Sequence, residues 1–393
     1  MKDQIILSKR FIALTLSLFI VGVVTFIAGV SIDQKTTWAN YLLVNFYFLS
    51  VAMGGTFFLV IQSITQSGWS SAFKRIPEAM MSYIPVAAVF FVLMWFGIKA
   101  IYGWTGNHEN GKELLSHDKS VYFSLPFFFA RIIVFFGLWI IFIRKLRFLS
   151  LREDSLKTED HDGIMLLFNK SELYSKILIF ILIISFSVAA FDWLMSLDIH
   201  WYSTIFALKY IVAAFLHGVS ILALIIFILN RKGYFPFLNK YHLHDLARYI
   251  FIFSIIYGYF WFAQFMIIWY GNIPEETVYY YIRWSENWKI IFYLEIGLNW
   301  GLPFIVLLPV KTSRNMFAII VVIIGLIAGQ YLDLFLHIMP GIMESFQIGW
   351  IEAGLFIGYA GLFAFIIGLT LSRANLIPKN HPYLEESLKH SFN

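Results

Sequence analysis

Ten stretches of this chain are apolar over about twenty residues each, the length an α-helix needs to cross the hydrocarbon of a bilayer. They fall at 11–30, 41–64, 79–101, 121–143, 175–197, 204–229, 247–270, 288–309, 315–338 and 348–371. A water-soluble fold has nowhere to hide so much apolar surface, since 60% of the 393 residues are hydrophobic and only 13% are charged. Lys2, Lys9 and Arg10 ahead of the first run resemble the basic start of a signal peptide. That run is too long for one and no small-residue cleavage site follows, so it reads as a retained helix. The chain has no cysteine, which excludes disulfides and thiolate-held zinc or iron–sulfur clusters.

Basic residues orient the ten runs. Of the 29 Lys and Arg, 21 fall on one side: in the N-terminal tail, at Lys74 and Arg75, in the block 144–176, between 231 and 248, at Lys311 and Arg314, and from Arg373 onward. Five fall on the other side, Lys35, Lys112, Lys119, Arg283 and Lys289, while Lys99, Arg131 and Lys209 lie inside runs. The positive-inside rule then makes both termini cytoplasmic. Topology thus accounts for the formal charge of +5, with no nucleic-acid surface left over. The expected fold is an all-α polytopic membrane protein with one integral membrane domain, in which two sets of four helices can form two bundles. The longest cytoplasmic connection, 144–174, reads as a solvated connector with a short interfacial helix at Ile164–Phe168.

An ionisable side chain inside hydrocarbon costs several kcal/mol, roughly 3 on the most lenient scale, so it needs a partner or a task. Threaded through the membrane, Lys209, Glu295, Asn299, Asp333 and His337 share the outer half of runs six to nine, with His217 nearer the midplane. Gln264 and Glu352 join them from runs seven and ten. Lys209 can neutralise Glu295 or Asp333. A second outer group holds Asn45, Lys99, Arg131, Asp192, Asp198 and His200. Arg131 sits deepest and needs an acid, for which Asp192 is the candidate. Lys99 reads as a snorkelling side chain, and Asp198 and His200 as residues that cap and solvate a turn. The inner half offers only Gln62, Ser82, Tyr83, Ser185, Ser187, Ser254 and Tyr257, and no carboxylate. Proton exchange with the outer aqueous phase is therefore favoured over transmembrane pumping. His217 and His337 lie at unmatched depths, which disfavours a b-type haem, and His108, His117 and His200 in outer loops lack zinc-site spacing. No metal site is expected.

Two stretches carry a family likeness: Asp192–Thr204, DWLMSLDIHWYST, and His244–Tyr280, HDLARYIFIFSIIYGYFWFAQFMIIWYGNIPEETVYY. Both resemble the NrfD-type integral membrane subunits of bacterial quinol-oxidising complexes, above all the smaller, second such subunit of alternative complex III, a quinol:cytochrome c oxidoreductase. The resemblance implies two four-helix bundles, helices two to five over 41–197 and six to nine over 204–338. They are flanked by helix one at 11–30 and helix ten at 348–371, with a cytoplasmic tail at 372–393. It implies a multi-pass protein of the bacterial inner membrane, in contact with lipids and carrying no redox cofactor of its own. Quinol or quinone is the small molecule it implies, with haems and iron–sulfur clusters on partners: a homologous NrfD-like subunit, an iron–sulfur subunit and c-type haem subunits. Quinol oxidation releases protons near the outer face, so a carboxylate or histidine must accept them. Asp192, with Asp198, His200 and Arg131, is the candidate quinol site in the first bundle. Lys209, His217, Glu295, Asp333 and His337 form the candidate proton-handling network in the second.

The residues of the second stretch also have plain structural readings. Asp245 can cap the seventh helix. Pro274, Glu275 and Glu276 look like the first turn of a short outer helix, and Trp269 belongs to an interfacial aromatic belt. Together Trp269, Pro274, Glu275 and Glu276 read as a docking loop for extracytoplasmic partners. Two rival readings stand beside the redox one: a secondary transporter, and a purely structural scaffold.

Overall fold

The computed structural model describes residues 4–105, 121–198 and 200–391. Lys2, His108, Lys112, His117 and Lys119 lie outside the described residues. Ten helices are long and apolar enough to span a membrane: α1 (Lys9–Ile32), α2 (Gln34–Ile64), α3 (Arg75–Phe96), α4 (Leu125–Ser155), α5 (His161–Leu197), α6 (Ile205–Arg231), α7 (Lys240–Gly271), α8 (Lys289–Leu307), α9 (Met316–Gly341) and α10 (Trp350–Ser372). No strand occurs among the described residues. The chain is thus an all-α polytopic membrane protein.

Helix α2 is buried nearly all round and forms the axis of the molecule. It packs on α3 and α5 on one side and on α6 on the other, and α6 in turn holds α7 and α9. Helices α2 and α6 touch backbone to backbone at Gly54 and Gly218, where a Cβ on Gly54 would lie 1.9 Å from the Ala214 carbonyl oxygen. A buried polar residue stands nine positions before the crossing glycine in each helix, Asn45 in α2 and Lys209 in α6. Helices α1 and α10 pack mainly against each other. Their seam is made of small residues, Gly22 against Gly358 and Thr25 against Gly354, which lets two lipid-facing helices gain van der Waals contact without a hydrophobic driving force.

Several boundaries differ from the sequence expectation. The segment 144–174 is no solvated connector with a small helix of its own: α4 runs through to Ser155 and α5 starts at His161, with Asp160 accepting a bond from the Gly163 N–H as its cap. Charged residues on the water-facing turns let both helices outrun the bilayer. Helix α7 starts at Lys240 under an Asn239 cap, so Asp245 is not its cap; it pairs with His390 at 2.6 Å instead. The third run is interrupted near Ser82 and Tyr83 and ends in a tight turn at Met94–Phe96, which leaves Lys99 exposed in a separate short turn.

The basic end of the bundle is closed by the C-terminal segment. Ser387 Oγ donates to the Trp69 carbonyl, and the Asn380 amide donates to the carbonyls of Glu153 and Leu156. The His242 Nε2 and the Asn239 amide bond the carbonyls of Ser387 and His390. Beneath lies a buried ion network that the sequence reading missed, having found no inner carboxylate. Arg75 pairs with Glu78 at 2.6 Å and with Asp154, Arg147 also meets Glu78, and Lys74 stands 3.5 Å from Glu153. These charges sit near helix ends, where a sequence reader assigns them to solvent.

Candidate functional site

The outer ends of α6 to α9 bring the predicted second-bundle residues together. Lys209 of α6 is held 2.5 Å from Asp333 of α9, which settles which of two acids it neutralises. Glu295 of α8 is 1% exposed and forms no ion pair among the described residues. Its Oε1 accepts from the Tyr257 hydroxyl of α7 and from the Asn299 amide at 3.3 Å, one turn further along α8. Asn299 lies in a wider, π-type turn over Gly297–Gly301, where α8 departs from regular α-helix beside its buried acid. A 3.6-residue period applied to the whole run gives no sign of this break.

Lys209, Gln264, Glu295, Asp333 and His337 line one narrow cavity, with Tyr279 and Tyr280 at its outer wall. The space admits about one or two water molecules, not a substituted ring. Glu295 Oε2 and Asp333 Oδ2 are buried and accept no hydrogen bond from any described residue. The lining therefore has two carboxylates, one ammonium and three open acceptor oxygens, one on each carboxylate and Gln264 Oε1.

A lid of aromatic and cationic groups covers this cavity. The helix Pro274–Arg283 begins with proline at its first turn and carries Glu275 and Glu276 there, as expected. Asn272, in the left-handed conformation with φ 47°, ends α7 just before it. Tyr279 of this helix stacks on Trp201 with centroids 4.0 Å apart and bonds His337 Nδ1 at 3.0 Å. His337 Nε2 meets the Leu194 carbonyl at 3.1 Å, and a carbonyl only accepts, so Nε2 carries the proton and Nδ1 accepts from Tyr279. Arg283, counted in the sequence as an outer-loop charge, is buried with its guanidinium 3.4 Å from the Tyr279 ring centroid. It donates to the carbonyls of Leu336, His337 and Tyr279, capping the end of α9. Burial raises the Tyr279 and Tyr280 hydroxyls above the ordinary phenol range, so both stay protonated donors.

The stretch Asp192–Thr204 links α4 and α5 to α6 and α9. Asp192 accepts from Arg131 at 2.5 Å and from the Tyr122 hydroxyl at 2.8 Å, so the expected pair forms and each carboxylate oxygen is engaged. Two residues on, Leu194 supplies the carbonyl for His337, and Trp201 supplies the face for Tyr279. Asp198 accepts from the backbone N–H of His200, an exposed turn contact, as the capping reading has it.

Two residues expected in the site do not join it, and a third joins it from outside the expected set. His217 packs on Tyr47, ring centroids 4.3 Å apart, and misses the acids because it stands eight residues, about 12 Å of helix rise, deeper along α6 than Lys209. Glu352 bonds Asn40 at 2.6 Å and the Gly349 N–H, capping α10. Tyr257, placed by the sequence reading in the inner half, reaches Glu295 instead; its depth was misjudged because α7 begins seven residues earlier than read.

Outside Tyr280 opens a second, wider cleft of about 460 Å³, walled by Phe265, Trp269, Tyr270, Tyr281 and Trp284. Trp269 thus faces this cleft, while Glu275 is exposed at the rim. Comparison with protein-family models gives no match, and neither does comparison with curated proteins.

Proposed function

We propose that this chain is a membrane subunit of a bacterial quinol:cytochrome c oxidoreductase of the NrfD-like kind, handling protons at the extracytoplasmic face and anchoring redox partners there. One observation carries the reading: Glu295 and Asp333 share a water-sized cavity with a single ammonium, and each keeps an open, buried oxygen. Arg283 in the lid donates only to backbone carbonyls, so one carboxylate of the lining has no ion-pair partner among the described residues, and water in the cavity can carry a proton to and from it. Asp192, saturated by Arg131 and Tyr122, is the poorer acceptor, so the proton-accepting role falls to the second bundle. A quinol ring, where this chain meets one, belongs in the aromatic cleft outside Tyr280, whose side chain lines both spaces. The exposed Trp269 and the acids Glu275 and Glu276 then serve as the docking edge for iron–sulfur and c-type haem subunits.

The test is gentle purification with an optical spectrum, then Glu295→Gln and Asp333→Asn in the intact assembly. The proposal requires a c-type haem signal in the wild-type preparation, and lost quinol turnover and proton release with assembly preserved in the variants. Full turnover in both variants sinks the proton role and leaves a scaffold. A second reading rests on the π-type turn beside Glu295, since broken helices at buried charges are a transporter device. A colourless preparation of this chain alone would favour that one.

A further inference from the structure

At the opposite, basic end of the molecule a groove of about 590 Å³ runs between α3, α4 and α10. Its walls are apolar along the bilayer (Pro85, Phe148 and Ile366 among them), and its mouth carries Arg144, Arg147 and Arg373 together with the hydroxyls of Ser82 and Thr370. The charge on these arginines is not equivalent. Arg147 is spent on Glu78, inside a network where Lys74, Arg75 and Arg147 face Glu78, Glu153 and Asp154, three cations against three carboxylates. Arg144 of α4 and Arg373 at the end of α10 are exposed and form no ion pair among the described residues. They come from different helices yet border the same groove.

Two unspent guanidiniums and two hydroxyls at the membrane–water boundary, above an apolar trough, match a phosphodiester with acyl chains below it. Arginine forks suit phosphate oxygens, and basic pockets between spanning helices on this side recognise anionic headgroups. We propose that this groove is a binding site for one anionic glycerophospholipid of the cytoplasmic leaflet, its phosphate held between Arg144 and Arg373 and its chains along α3 and α10. The assignment is independent of the redox reading, because it uses no residue of the outer cavity. The bound lipid would staple α10, which otherwise leans mainly on α1, to the first bundle.

The full chain, purified in detergent and stripped of lipid, is titrated with dioleoyl phosphatidylglycerol or dioleoyl phosphatidylcholine and read by native mass spectrometry. One phosphatidylglycerol should bind with at least about tenfold preference. Arg144→Gln/Arg373→Gln, which breaks no ion pair, should weaken it by about thirtyfold, while Lys157→Gln/Lys170→Gln, an equal charge change elsewhere on that end, should leave it intact. Millimolar glycerol phosphate, the headgroup without chains, should not displace it. Absence of the preference, an equal loss in the control pair, or displacement by glycerol phosphate each overturns the proposal.

Discussion

Replacing Lys209 with Met keeps the length of the side chain and removes its charge, leaving Asp333 as an unpaired acid 4% exposed in its side chain, opposite a Glu295 that forms no ion pair among the described residues. Breaking one side of a buried pair costs about 3–5 kcal/mol, because the remaining charge has neither water nor partner. Changing Asp333 to Asn in the same chain removes that orphan, so the double variant should return to within about 1 kcal/mol of the wild type. Lys209→Met/Glu295→Gln should recover much less, because Glu295 is held by Tyr257 and Asn299 and not by the ammonium. Reversible unfolding in mixed micelles, followed through the tryptophan fluorescence, gives the four corners of each cycle. If the Lys209 and Asp333 single losses simply add, the 2.5 Å contact carries no coupling and the charge bookkeeping behind the proton site fails.

Two more outcomes follow from the packing and from the tail. Gly54→Ala drives a methyl into the Ala214 carbonyl, with backbone on both sides and nothing that can swing away, so it should cost about 1–3 kcal/mol or more in the same unfolding assay. Gly137→Ala, which meets nothing within 4 Å, should be neutral or gain up to about 1 kcal/mol, and equal losses at the two sites would refute the backbone contact. Burial, with Lys74 beside it, holds the His381 imidazole well below its ordinary value. The unfolded chain then binds the extra proton first, so docking of the 376–391 segment weakens as pH falls from about 6.5, by at most about 1.4 kcal/mol per unit. Limited proteolysis of that segment should accelerate between pH 7 and pH 5 and lose part of its pH dependence in His381→Phe, the His242 contact with the Ser387 carbonyl keeping the rest.

The spanning helices were legible because lipid imposes a length and a composition that few other environments require. The pairings Arg131–Asp192 and Glu295–Asn299 were legible too, the first because a deep arginine has few acids within reach, the second from one-turn spacing. Lys209 offered two acids, and only the rotation of α8 against α9 decides between them. What stayed hidden depends on contacts between distant segments. Arg75 meets Asp154 across 79 positions, and Arg283 turns back onto α9 from a loop that reads as solvent-exposed. The π-type turn at Gly297–Gly301 was invisible for a different reason: it adds a residue to one turn without changing hydropathy.

The docked tail bears on how the molecule is made. Residues 380–390 leave the ribosome only after all ten spans, yet they supply the bonds that occupy the carbonyls of Trp69 and Glu153 and the ring of His242. Before those bonds are made, these groups at the basic end lack their partners. The contacts that join the loop after α2 to the end of α4 and the start of α7 are thus made by a segment translated after all ten spans.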